Sequence, residues 1–173
     1  PDFEIATAAS GVLDYQVGQQ HIRLEAGDSI FVNGNILHRI RQLSGSSPDP
    51  MPNIVFSGNA VAPEHSTIYQ KYIQPIAQCN FLPFIVFRHE NSAHREVNSF
   101  ILDAYRCLSR QMEGYEMAVQ RSLSRILEYI YCNMDSFPKS EATRIQMKNQ
   151  IRLQKMLTYI YEHYMDDVTL QEI

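Results

Sequence analysis

The stretch VLDYQVGQQHIRLE, residues 12–25, alternates apolar and polar side chains on either side of Gly18-Gln19. That alternation is the period of a strand with one buried face. A two-residue connection with glycine first suits a type II′ β-hairpin. Folding at that point places Tyr15 opposite Ile22 and Leu13 opposite Leu24 on one face. On the other face it sets Asp14 opposite Arg23, a favourable cross-strand charge pair. The hydrophobic pattern and the charge pattern therefore choose the same register, and an antiparallel hairpin over 12–17 and 20–25 is predicted.

Outward from this hairpin the same short alternation holds from Phe3 to about Arg88, broken by Gly, Asn, Ser and Pro, as in an all-β region. A second strand pair is predicted at 29–33 and 37–43, turning at Gly34-Asn35. The run SGSSPDPMP, residues 44–52, reads as a loop. Further strands are expected at 53–57 and 83–88, and Ser66 to Ile76 has the pattern of one or two helical turns.

From His94 the period becomes helical. Val97, Phe100, Ile101, Ala104, Tyr105, Leu108 and Met112 form one stripe, with Gly114 read as the stop. Val119, Leu123, Ile126, Leu127, Ile130, Tyr131 and Met134 form a second stripe, ending before Pro138. Matching length and a short connection predict an antiparallel pair. A polar linker follows to about residue 150, and then a third helix whose apolar face is Leu153, Met156, Leu157, Ile160, Tyr161 and Tyr164. Thr169 and Glu172 stand at capping-box spacing, announcing another helix at the end of the chain.

Composition narrows the function classes. The chain has 173 residues, 45% hydrophobic and 20% charged, with a net charge of -4. That balance is globular and gives no electrostatic footprint for nucleic acid. No apolar run approaches the roughly 18 residues of a membrane span, and Pro1-Asp2-Phe3-Glu4 does not open a secretory signal. Cys79, Cys107 and Cys132 have neither metal-ligand spacing nor an even count, so a reducing cytoplasm is expected. No nucleophile triad, phosphate-binding glycine loop or zinc spacing is present.

Chemistry is concentrated in GDSIFVNGNILH, residues 27–38. It resembles the second motif of the cupin superfamily: Gly27 and His38 match, whereas Asn33, Asn35 and Gln42 replace the usual Pro, Gly and Asn. Glu4 and Gly11 match the end of the first cupin motif, whose two histidines would fall before Pro1. Glu4 and His38 thus stand at two of the four positions that hold metal in catalytic cupins. A carboxylate and an imidazole converging inside a barrel can hydrogen-bond a polar ligand in an otherwise apolar pocket. They can also be a solvated strand residue and a satisfied core histidine, or part of a metal site. Ligand contact ranks first, the purely structural role second and metal third. Tyr15, Tyr69 and Tyr72 are candidate pocket liners. His89, Glu90 and His94 fall in the strand-to-helix connection, His21 on the outer face of the hairpin, His65 in a loop and His163 near a helix end.

The order of these segments resembles the AraC family of bacterial transcription regulators. GDSIFVNGNILHRI, residues 27–40, looks like that family's barrel segment. IYQKYIQP, residues 68–75, looks like the Y-x-K-Y-x-x-P stretch of a subgroup. Residues 151–164 followed by DVTLQEI, residues 167–173, are similar to the opening of its DNA-binding domain. The resemblance implies an α+β chain: a cupin-like jelly-roll β-barrel over 1–90, dimerisation helices over 91–137, a linker over 138–150 and an incomplete helix-turn-helix domain over 151–173. It implies a small polar effector, such as a sugar or other metabolite, bound at Glu4, Tyr15 and His38. It also implies a cytoplasmic homodimer through Phe100, Tyr105, Leu108, Leu123, Leu127 and Ile130. DNA would be contacted only through the absent C-terminal part, with the barrel's first strand absent before Pro1. On this reading the chain is no enzyme and needs no cofactor or metal. The alternatives are a metal-dependent cupin isomerase or oxygenase, which leaves the three helices unexplained, and a dimerisation module without an effector.

Overall fold

A computed structural model describes residues 2–18, 20–34, 36–44, 52–79, 81–137 and 141–164; of Ser44 and of residues 141–147, 150, 151 and 154 it describes the backbone alone. Gln19, Asn35, most of the 44–52 loop and the Thr169–Glu172 capping box lie outside the described residues.

Among the described residues, seven strands form two antiparallel sheets. They are β1 (Asp2–Thr7), β2 (Val12–Val17), β3 (Gln20–Glu25), β4 (Ser29–Val32), β5 (His38–Ser44), β6 (Asn53–Ser57) and β7 (Phe84–Phe87). One sheet runs β6-β1-β4-β7 and the other β3-β2-β5. The β2–β3 hairpin has the predicted register, with Tyr15 on Ile22, Leu13 on Leu24 and Asp14 on Arg23. Gly18 takes φ +61°, the left-handed region that primed hairpin turns require. The expected charge pair is replaced: Asp14 binds His21 at 3.0 Å, and Arg23 reaches Glu25 instead.

Two expectations are corrected. Among the described residues the sheets share no ladder, so no barrel closes; they stack face to face as two open sheets. Nor do the strands at 29–32 and 38–44 form a hairpin. β4 pairs with β1 and β7, whereas β5 pairs with β2. Between Val32 and His38 the chain passes from one sheet to the other, a step that local alternation does not reveal.

The four-stranded sheet is covered on both faces. Ala6, Ile30 and Val32 meet Leu13, Tyr15, Val17, Ile22 and Leu24 of the smaller sheet. Phe3, Ile5, Phe31, Ile85 and Phe87 point the other way, into a core shared with the helices. β4 is consequently buried at every position. Each large apolar side chain enclosed here contributes about 1.5–3 kcal/mol of transfer free energy.

The helical layer begins at Thr67 and runs to Ala77, longer than the one or two turns expected. It combines a π-helical turn, Tyr69–Ile73, with α1 (Gln74–Ala77). Pro75 has no N–H to offer the preceding turn, and the Gln74 N–H reaches back to Tyr69 in the wider π spacing. A side chain at Gly58 would sit 2.8 Å from the Tyr69 ring and 2.9 Å from Ile73, so glycine sets the close approach of this helix.

Helix α2 (Arg95–Arg110) and helix α3 (Tyr115–Asn133) pack on each other and on the sheet. The stop of α2 is Gln111, left-handed at φ 46°, rather than Gly114, which opens α3. Helix α4 (Glu141–Glu162) runs without interruption across the boundary expected at 150 between linker and third helix. Its row Leu153, Leu157, Ile160 and Tyr161 stays exposed, as does Tyr164 just beyond its end. No helix among the described residues is long and apolar enough to cross a membrane.

Candidate functional site

Glu4 lies on β1, on the strand face that carries Ala6 toward the smaller sheet. Tyr15 and His38 come from that smaller sheet, where Val17 is opposite His38 and Tyr15 opposite Ile40 on the paired β2 and β5. Their rings stack, with centroids 6.1 Å apart. Both polar tips converge on the Glu4 carboxylate. The Tyr15 hydroxyl donates to Oε1 at 3.1 Å, and His38 Nε2 lies 2.8 Å from Oε2. The sequence marks these three residues as effector contacts; in the structure their side chains bond to one another.

Proton bookkeeping fixes the character of this cluster. His38 Nδ1 is 2.8 Å from the Ile36 carbonyl oxygen, which can only accept, so Nδ1 carries a proton. The Nε2–Oε2 contact needs one further proton. Burial pushes the Glu4 pKa up, but the bonds from His38, Tyr15 and Asn53 outweigh it and hold the carboxyl below its ordinary value. The bond to Glu4 raises the His38 pKa against the opposing effect of burial, helped by the Ile36 carbonyl. An imidazolium–carboxylate pair results, with side chains only 21% and 12% exposed. Tyr15 is fully buried, and burial together with the Glu4 charge raises its pKa and keeps the phenol protonated as a donor.

The cluster is not sealed. Val55 of β6 pairs directly with Glu4, so it shares the inter-sheet face, and it is 61% exposed. Solvent therefore reaches the rim beside the carboxylate. A metal would have to displace one of the two hydrogen bonds of His38. Among the described residues no group of three or more His, Cys, Asp or Glu side chains is placed to hold a metal ion.

This chain is similar to a bacterial transcriptional regulator. It is 20% identical over 177 residues to the HTH-type transcriptional regulator YdeC of Bacillus subtilis (strain 168), a protein itself described as uncharacterized. The alignment takes in 99% of this chain and 57% of YdeC, so the chain spans little more than half the length of the relative it matches. No protein-family model matches the chain.

Two further polar residues, whose roles spacing alone did not disclose, hold the frame of the site. Asp28, 3% exposed, accepts from the His89 backbone N–H at 2.9 Å and the Glu25 N–H at 3.0 Å, and also binds His89 Nδ1 and Arg88 Nη1. Burial acts against ionisation, yet these bonds hold the Asp28 pKa down to about 2. Gly27 makes the approach feasible: its φ is +91°, and a Cβ there would meet His89 at 3.1 Å. The Gly-Asp dipeptide was the available signal. Asn33 donates from Nδ2 to the carbonyls of Ile76 and Leu82 and accepts the Gly34 N–H. It pins the 76–83 segment beside the sheet crossing that delivers His38.

The remaining candidates are dispersed. Tyr69 is buried in the helix-side core, and Tyr72 meets Tyr131 edge-on at the surface. His94 opens α2, where its Nδ1 accepts the Arg88 N–H. His65 is exposed, and His163 stacks on Tyr159 beyond the end of α4. Of the residues expected at a dimer interface, Leu123, Leu127 and Ile130 are at most 2% exposed within one chain, while Phe100, Tyr105 and Leu108 are partly buried against the same core.

Proposed function

We propose that the chain is the effector-sensing and dimerising part of an AraC-type transcription regulator of the bacterial cytoplasm. A small polar molecule enters between the sheets beside Val55 and exchanges hydrogen bonds with Glu4, Tyr15 and His38. The observation that carries this reading is the Glu4 carboxylate itself, held across the sheet gap by a phenol and an imidazolium within reach of solvent. The likeness to an HTH-type regulator supports the regulatory half of the reading. The two stacked sheets stand for the cupin-like jelly roll of that family, and the chain itself is not an enzyme on this account.

An effector acts only through unequal affinity for two states of the protein. Occupation of the Glu4 site rearranges β5 and the crossing between Val32 and His38, and the shared core passes the change to α2 and α3. Homodimers form through these helices. Phe100, Tyr105 and Leu108 have surface to offer a partner, while Leu123, Leu127 and Ile130 back that surface from within the chain. DNA is contacted by a helix-turn-helix segment that follows α4.

A thermal-shift screen of neutral sugars, aromatic acids and ureas tests the sensor. A ligand at about 100 times its Kd stabilises the protein by about 2.7 kcal/mol. The shift is expected to vanish in His38→Ala, and effectors that bind this variant unchanged overturn the assignment. Sedimentation tests the dimer, and a monomeric mass at high concentration contradicts it.

A further inference from the structure

Among the described residues β7 is the outer strand of its sheet, and its residues Phe84–Val86 line a cavity of about 660 Å³. The antiparallel register pairs Val32 with Phe84, Phe31 with Ile85, Ile30 with Val86 and Ser29 with Phe87. Just beyond it, the Asn33 N–H donates to the Pro83 carbonyl at 2.9 Å. Hydrogen-bonded pairs alternate in an antiparallel ladder. Pro83, Ile85 and Phe87 therefore face β4, and the N–H and C=O groups of Phe84 and Val86 point outward. No described residue bonds to these outward groups.

The walls have a definite chemistry. Phe81, Tyr129 and Phe137 supply aromatic surface, and no described Asp, Glu, Lys or Arg lines the cavity. His94 adds one oriented donor. Its Nδ1 accepts the Arg88 backbone N–H at 2.9 Å and so carries no proton, which leaves the hydrogen on Nε2. The α3 wall is tied in place by the Tyr129 hydroxyl, which donates to the Ala93 carbonyl at 3.1 Å.

From this arrangement we propose a second ligand site, for an uncharged flat aromatic molecule bearing an amide-like edge. Its ring lies among Phe81, Tyr129 and Phe137, and its edge pairs with the open backbone groups of β7 and with His94 Nε2–H. The volume lies within the range of small-molecule pockets. The site shares no residue with Glu4, Tyr15 and His38 and does not rest on the function proposed above.

The test is a titration of the protein with 2-naphthamide, followed by amide and imidazole NMR. Saturable shifts are expected at Phe84, Val86 and the His94 ring, and not at Glu4 or His38. His94→Asn keeps an oxygen to accept the Arg88 N–H while removing the Nε2 donor, and binding should weaken about tenfold, the loss of one hydrogen bond. Ser136 is exposed on the cavity rim, so Ser136→Trp fills the space without touching the core and should abolish binding. No saturable shifts, shifts centred on His38, or undiminished binding by folded Ser136→Trp would each overturn the proposal.

Discussion

His38 Nε2 and Glu4 Oε2 lie 2.8 Å apart although they belong to different sheets, and this contact is a charged link across the sheet gap. Because Tyr15 occupies the other carboxylate oxygen, Glu4 is satisfied by the smaller sheet at both oxygens. Loss of either partner leaves a partly buried polar group unmatched, which costs more than the pair contributes while intact.

Glu4→Gln and His38→Ala should each lower stability by about 1–3 kcal/mol. Because both remove the same contact, the double variant should cost clearly less than the two losses added. Urea unfolding of the four proteins measures the coupling. Strict additivity would show that the contact contributes nothing in solution.

The pair also has a definite pH window. His38 is raised above 6.5, so its contribution is complete below that value and disappears as pH rises through the folded pKa. Glu4 is lowered below 4.5, so its contribution is complete above that value and disappears as pH falls through the folded pKa. The stability advantage over Glu4→Gln should therefore peak between pH 4.5 and 6.5 and shrink on both sides. Denaturation curves at pH 3, 5.5 and 9 check the shape, at round values chosen about that window. A difference independent of pH would contradict the ion pair.

Asp28→Asn should cost about 1–2 kcal/mol near neutral pH, because a neutral amide replaces a carboxylate that accepts two backbone N–H groups. The exposed Arg88 and His89 partners contribute little beyond this. Since the Asp28 pKa is lowered to about 2, the difference from Asn should fade as pH drops from 3.8 toward that value. Acid titration of both proteins by circular dichroism follows it.

Asn33→Ala should cost about 3 kcal/mol by leaving the Ile76 and Leu82 carbonyls and the Gly34 N–H without partners. Amide exchange should quicken from residues 76 to 83 before it does in the β2–β3 hairpin. Uniform quickening would mean that Asn33 supports the whole fold rather than this segment.

Local pattern carried far for some elements and not for others. The β2–β3 register was legible because alternation, the glycine turn and charge placement act within 14 residues. The stripes of α2 and α3 were legible for the same reason, except that Met112 lies past the end of α2 and is exposed. The Asp14 charge partner was misjudged because a diagonal neighbour, His21, lies as near as the directly opposed Arg23. Glu4, Tyr15 and His38 were singled out by resemblance to family motifs and by residue type, without any view of their contacts.

Element type, the inward faces of the strands and of α2 and α3, and the hairpin register follow from the sequence by itself, since each depends on neighbours a few residues apart, whereas the apolar row of α4 stays exposed. Sheet membership does not. An alternating strand such as β5 presents the same apolar face whether it pairs with β4 or with β2, and only closure of the core on both sides of the four-stranded sheet selects β2. The tertiary structure likewise decided that Glu4 meets His38 across 34 positions of chain, because stacking two sheets brings together side chains that no local rule connects.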